Sequence, residues 1–196
     1  VIVVQHGQKV RAPGDPGLTP LGREQAADVA ERVAGERVVA VWSSPLRRAV
    51  ETAEVVGRRV GLAVRADGRL RERMNWDGPG GIELDDFLRE WRRATDDRAY
   101  APRVGDSSQA AAQRFLGALG DIADAGPHGT LVVVAHGGVT VDALRTLLGD
   151  DEVRRRAPGV MGDGVPGGAL TTFVRDGHGE RRWGVEGIAV AGHRPA

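Results

Sequence analysis

The sequence predicts an α/β fold: a three-layer α/β/α sandwich around a mostly parallel central sheet, with an antiparallel hairpin at its C-terminal edge. Three observations carry that expectation. VIVV at 1–4, VVAVW at 38–42 and TLVVVA at 130–135 are short, continuous apolar runs rich in valine. Runs without polar alternation suit strands buried on both faces. Helix signals follow each of them, and a strand–helix–strand order needs crossover connections and hence parallel pairing. The tail instead holds two strand-like runs, 169–174 and 182–189, joined through Asp176-Gly177, a pairing that reads as an antiparallel hairpin.

The elements follow in order. After the strand at 1–4 comes a loop rich in glycine and proline over 9–17. Thr19-Pro20 then opens a helix, with Thr as the cap and Pro in the first turn, running to about Gly35. Ser44-Pro45 repeats that start after the strand at 38–42, and its helix runs to about Gly57. A weaker strand is expected at 62–64. The stretch 78–81 is a loop, and 83–95 is a helix, with Leu84, Phe87, Leu88 and Trp91 at helical spacing. A linker at 96–105 leads to a helix over 107–125. That helix precedes the strongest strand, 130–135, and a helix over 139–149 follows it.

The length of 196 residues fits a single domain over 1–196, and 41% hydrophobic residues supply a sizeable core. With 4% aromatics, valine, leucine and alanine must fill it. Net charge is zero, so there is no global pull toward nucleic acid or an anionic membrane, and any anion site has to be local. No cysteine is present, which excludes disulfides, thiolate metal sites and cysteine nucleophiles. No run reaches membrane-spanning length and no signal peptide is apparent, so the expected location is cytoplasmic. Lys9 is the only lysine among the basic residues.

Two strands end alike, VIVV-Q-HG and TLVVVA-HGG. Ligands of open parallel sheets bind beyond the carboxyl ends of the strands, so His6 and His136 fall at one mouth. Gly7 and Gly137 there let the backbone turn and a ligand approach it. A lone strand-end histidine is more often a satisfied structural residue; two such His-Gly pairs in one chain favour a site. SSPLRRAVETA, from Ser43, opens a helix on the same edge, where backbone N–H groups and an arginine fork suit an anion. Arg48 is the candidate, and Arg47 reads as a surface residue. Glu72, in RLRERMNWDG, can reach the same mouth as a general acid. By itself it reads as a surface ion-pair partner.

Taken together, QHG at 5–7, SPLRRAVETA at 44–53, RLRER at 69–73 and AHGG at 135–138 resemble the motifs of the histidine phosphatase superfamily, the relatives of phosphoglycerate mutases. LTPLGREQA at 18–26 and GDSSQAAAQR at 105–114 fit as well. The resemblance spans Val1 to about Gly149 and, more loosely, the tail. It implies a metal-independent phosphatase working through a phosphohistidine. His6 would be the nucleophile, Glu72 the group that protonates the leaving oxygen and then activates water, and His136 the stabiliser of charge on the phosphoryl group. Gln5, Arg48 and Gly137 would bind substrate. No cofactor and no metal are implied, and the partner is a small phosphorylated molecule. A homodimer is left open, and mutase activity is less expected in a chain of this length.

The chain departs from the family at Gln5, where relatives carry arginine, and at Gln8, where many carry glutamate. Glutamine offers an N–H donor without charge or fork, and losing one donor in such a pocket costs about a hundredfold to a thousandfold in rate. The alternative is therefore an impaired or repurposed member that binds a phosphorylated ligand or acts on an unusual substrate. Lys9, on a loop, is a weak candidate for restoring the charge. Three further features read as decoys. Gly162, Gly164 and Gly167 form a literal G-x-G-x-x-G, but Pro166 and a following strand make it a loop. His128 and His178 read as exposed, and His193 as part of a tail. A zinc site on His6, His136 and Glu72 is disfavoured by the adjacent arginine.

Overall fold

The computed structural model describes residues 1–77, 81–126, 128–175 and 182–190. Among the described residues, six strands form one sheet in the order β3-β2-β4-β1-β5-β6. They are β1 (Ile2–Gln5), β2 (Val38–Ser43), β3 (Val64–Ala66), β4 (Thr130–Ala135), β5 (Leu170–Arg175) and β6 (Trp183–Val190). The first four in spatial order pair in parallel, and β5 and β6 complete the sheet antiparallel to their neighbours. The expected α/β class and edge hairpin are therefore present. Asp176-Gly177, His178, His193 and residues 78–80 lie outside the described residues.

Helices α1 (Pro20–Val33) and α2 (Arg47–Val60) cover one face of the sheet, and α4 (Ser108–Ala125) and α5 (Gly137–Leu148) the other. The period of two in a strand sorts the side chains between them. Val4, Val132 and Val134 pack with Val29, Val33, Ala53 and Val56. Val3, Val133 and Ala135 pack with Phe115, Leu119 and Leu144. Helix α3 (Leu84–Asp96) belongs to a smaller cluster of Met74, Ile82, Phe87 and Ala94 with Trp76 and Trp91.

Local chemistry sets the boundaries. Thr19 accepts from Gly22 N at 3.0 Å and caps α1, with Pro20 in the first turn. Ser107 caps α4 in the same way through Ala110 N. The start of α2 differs from expectation: Leu46 occupies the cap position, and Asp15, from the 9–17 loop, supplies the carboxylate to Arg47 N at 2.8 and 2.9 Å. Strand β3 lies two residues later than the sequence suggested, and α5 begins two residues earlier, directly after His136. A further helix, α6 (Asp150–Arg156), was not anticipated; its acids fill the first turn and its arginines the last, as the helix dipole favours.

Candidate active site

Register brings the two His-Gly pairs together. Strands β1 and β4 are central neighbours with Gln5 opposite Ala135, so the next residue of each is a histidine at the same level. The ladder continues one step as His6 N donates to Ala135 O at 3.2 Å. The ring centroids of His6 and His136 are 5.1 Å apart, with the planes at 64°. Strand β2 lies on the other side of β4 and delivers Ser44 and Arg48 to the same place.

The His6 ring has its tautomer fixed by its partners. Nδ1 lies 2.7 Å from Gly7 O, and a carbonyl can only accept, so Nδ1 carries the hydrogen. Nε2 then holds a lone pair, toward which Arg48 Nε donates at 3.1 Å and Gln5 Nε2 more weakly at 3.4 Å. Burial lowers the pKa of the ring to about 3; the Gly7 carbonyl opposes this, and the charges of Arg48 and Lys9 reinforce it. The imidazole is therefore neutral at physiological pH.

His136 is fully buried, and its pKa is well below the ordinary value, first through burial and then through His6 and Arg48. Its Nε2 lies 2.7 Å from Ser44 Oγ, which also accepts from Leu46 N at 3.3 Å. Where the Ser44 hydroxyl donates its hydrogen to Nε2, the ring hydrogen sits on Nδ1 and Nδ1–H is the donor. Nδ1 has no partner among the described residues. Arg48 is 3% exposed; its Nη2 donates to Asn75 Oδ1 at 3.3 Å, and its Nη1 lies 3.7 Å from Asp15 Oδ1.

Glu72 reaches the start of α5 from outside that helix. Oε1 accepts from Arg73 N at 2.7 Å and Val139 N at 2.8 Å, and Oε2 from Gly138 N at 3.0 Å. The carboxylate thus satisfies helix N–H groups that would otherwise lack partners. Oε2, with a single backbone partner, retains capacity for another. Glycine at 138 is what permits the approach: a Cβ there would lie 2.6 Å from Glu72 Oε1 and 2.7 Å from Trp91 Cη2. Gly7 has a comparable role, since its Cβ would fall 2.2 Å from Gly22 O of α1. It is the backbone of α1 that makes this close approach.

A cavity of about 380 Å³ opens over this cluster. Gln5, His6, Lys9, Glu72 and Gly137 are among its lining residues, while His136 and Arg48 are buried and outside the lining. Its lining also holds a polar network that the sequence did not reveal. Arg73 Nη1 meets Asp142 Oδ1 at 3.0 Å, with both side chains almost fully buried, and Arg73 Nη2 donates to Thr95 Oγ1 at 2.8 Å. Ser108 Oγ donates to Asp142 Oδ1 at 2.7 Å, and the Arg73 guanidinium lies 4.3 Å from the Trp91 ring centre. Burial raises the pKa of Asp142 to about 6, against the pull of Arg73. The 162–167 glycine run is a loop before β5, and Gly162 and Gly164 sit on the cavity rim. His128 is exposed, away from the site.

Known proteins share both the sequence and the architecture. Residues 2–162 match the histidine phosphatase superfamily (branch 1). A glucosyl-3-phosphoglycerate phosphatase of Mycolicibacterium vanbaalenii is 34% identical over 166 residues, 76% of this chain and 74% of that protein. A probable phosphoglycerate mutase of Erwinia tasmaniensis is 31% identical over 171 residues, 80% of this chain and 79% of the other. The structure of a mycobacterial glucosyl-3-phosphoglycerate phosphatase in complex with VO3 superposes with a TM-score of 0.76 at 29% identity, covering 97% of this chain and 98% of that one. A match over most of the length, in sequence and in fold, places this chain in the histidine phosphatase superfamily.

Proposed function

We propose that the chain hydrolyses a phosphomonoester through a phosphohistidine on His6. The observation that carries the reading is the His6 tautomer: Nδ1–H is held by Gly7 O, and the Nε2 lone pair stands among donors beside a second imidazole. Nε2 attacks phosphorus, the bond from phosphorus to the ester oxygen breaks, and Glu72 passes a proton to the leaving oxygen. Water then attacks the phosphohistidine while Glu72 takes its proton. The P–N bond breaks, and its electron pair returns to Nε2. Arg48 and His136 Nδ1–H stabilise charge on the phosphoryl oxygens.

The cavity dimensions support a small polar leaving group. The whole cavity of about 380 Å³, lined by Arg73, Asp142, Thr95 and Trp91 as well as by Gln5 and His6, suits a hydroxylated compound rather than a macromolecule. Glucosyl-3-phosphoglycerate, named for the phosphatases among this chain's relatives, has that character, and we assign this chain a substrate of the same class.

The test combines turnover of p-nitrophenyl phosphate with trapping. Wild type is expected to hydrolyse the ester and, quenched in alkali, to carry a phosphoryl adduct on the peptide that contains residue 6. His6→Ala should lose at least about a thousandfold in rate and carry no adduct. Activity retained in His6→Ala, or an adduct on another residue, would overturn the proposal.

A further inference from the structure

A phosphoryl dianion needs positive charge around it, and the site holds little of it without Lys9. Both imidazoles are neutral, held so chiefly by burial. Gln5 is neutral, and its Oε1 is buried without a hydrogen-bond partner. Arg48 is already shared, with Asp15 Oδ1 at 3.7 Å and with the field of Glu72. Of the cations lining the cavity, Arg73 is paired with Asp142, and Arg145 with Asp150 at 2.8 Å. Lys9 is the remaining one, and among the described residues no carboxylate pairs with it.

We infer that Lys9 is a phosphate-binding catalytic residue, its ammonium supplying the second positive charge on the transferred phosphoryl group opposite Arg48. This rests on the phosphatase reading above. Lys9 is half-buried and lines the cavity together with Gln5 and His6. Although it belongs to a loop, its backbone is fixed. Lys9 forms an antiparallel bridge with Leu18. On one side Thr19 N donates to Gln8 O at 2.9 Å, and on the other Val10 N donates to Gly17 O at 3.0 Å. A further bond from Gln8 N to Gln25 Oε1 at 2.7 Å ties the segment to α1. Burial, and after it the charge of Arg48, lowers the pKa of the Lys9 ammonium below its ordinary value. An anion between the two cations therefore stabilises both. Lys9 also has three N–H donors, enough to serve a phosphoryl oxygen and the unsatisfied Gln5 Oε1 together.

The experiment uses the full chain as wild type, Lys9→Met, Lys9→Arg, Gln5→Arg and the Gln5→Arg/Lys9→Met double variant. Two quantities are read: kcat/KM on p-nitrophenyl phosphate, and the affinity for inorganic phosphate by calorimetry, with thermal melts confirming that each variant folds. Lys9→Met is expected to lower kcat/KM about tenfold to a hundredfold and to weaken phosphate binding in parallel. Lys9→Arg should stay within several-fold of wild type. With arginine at position 5 the Lys9→Met loss should shrink, because the charge is then supplied from elsewhere. Rates and affinities of Lys9→Met within twofold of wild type would overturn the inference, as would Lys9→Arg failing as badly as Lys9→Met. If His6→Ala retains full activity, the phosphohistidine reading falls instead, and the phosphate affinities still decide the role of Lys9.

Discussion

Arg48 Nε lies 3.1 Å from His6 Nε2, so the guanidinium holds the lone pair of the nitrogen assigned as nucleophile. That contact and a bond from Nε2 to phosphorus exclude each other. An incoming phosphoryl group must take the place of the lone pair as the target of the Arg48 N–H groups, and its oxygens are suitable acceptors. Arg48→Lys keeps the charge and removes the fork. Steady-state kinetics on p-nitrophenyl phosphate should show kcat reduced by about a hundredfold to a thousandfold, whereas a change in KM alone would place Arg48 in uniform binding of the ester.

Glu72 is positioned by its hydrogen bonds to the first turn of α5, and the space it occupies exists because residue 138 lacks a side chain. Gly138→Ala sets a methyl 2.6 Å from Glu72 Oε1 and should displace the carboxylate. The cost depends on the leaving group. p-Nitrophenolate departs without a proton, so its release in the first turnover should slow only several-fold. Alkyl phosphates need protonation, and their kcat should fall by about a hundredfold or more. Equal losses on both esters would show that the substitution acts on a step they share, binding or the attack of water on the phosphohistidine, rather than on protonation of the leaving oxygen.

The sequence discloses those parts of the site that are local. A strand ending in His-Gly is visible twice, and the pairing of β1 with β4 converts that repetition into two rings 5.1 Å apart. Arg48 and Glu72 stand out only through their motifs. The pairing of Arg73 with Asp142 spans 69 positions in the chain and depends on α5 packing against the segment after β3, so no periodicity marks it. The glycines were legible as backbone requirements, but what they admit was not. Gly7 makes room for Gly22 of α1, and Gly138 for Glu72, both partners distant in sequence. Helix α6 escaped notice because DDEVRRR offers a single buried residue, Val153, although its graded charge was a readable sign. The early start of α5 was hidden by two glycines of low helix propensity, offset by a carboxylate from elsewhere.

Gly7→Ala tests the packing that seats His6. The added Cβ would lie 2.2 Å from Gly22 O and 3.0 Å from Gly22 Cα, and both are backbone atoms that cannot rotate away. Either α1 or the end of β1 must shift. Urea unfolding should show a loss of at least about 2 kcal/mol, together with a lower kcat as His6 moves relative to Arg48 and His136. A variant of wild-type stability would mean that α1 slides freely on the sheet.

The neutral His6 ring also makes stability depend on pH in a defined direction. Its pKa in the folded protein is about 3, against about 6.5 for an unperturbed histidine. Between those values the unfolded chain binds a proton that the folded chain does not. Stability is therefore lost as pH falls from about 6.5 toward 3, and is fully present above that window. His6→Asn removes this contribution, while burial, the main cause of the low His136 pKa, remains. Measured by urea unfolding at a series of pH values, wild type should lose stability relative to His6→Asn by up to about 1.4 kcal/mol for each pH unit below 6.5. Parallel curves for the two proteins would mean that the ring takes up its proton at the same pH folded as unfolded, so that burial does not hold the imidazole neutral.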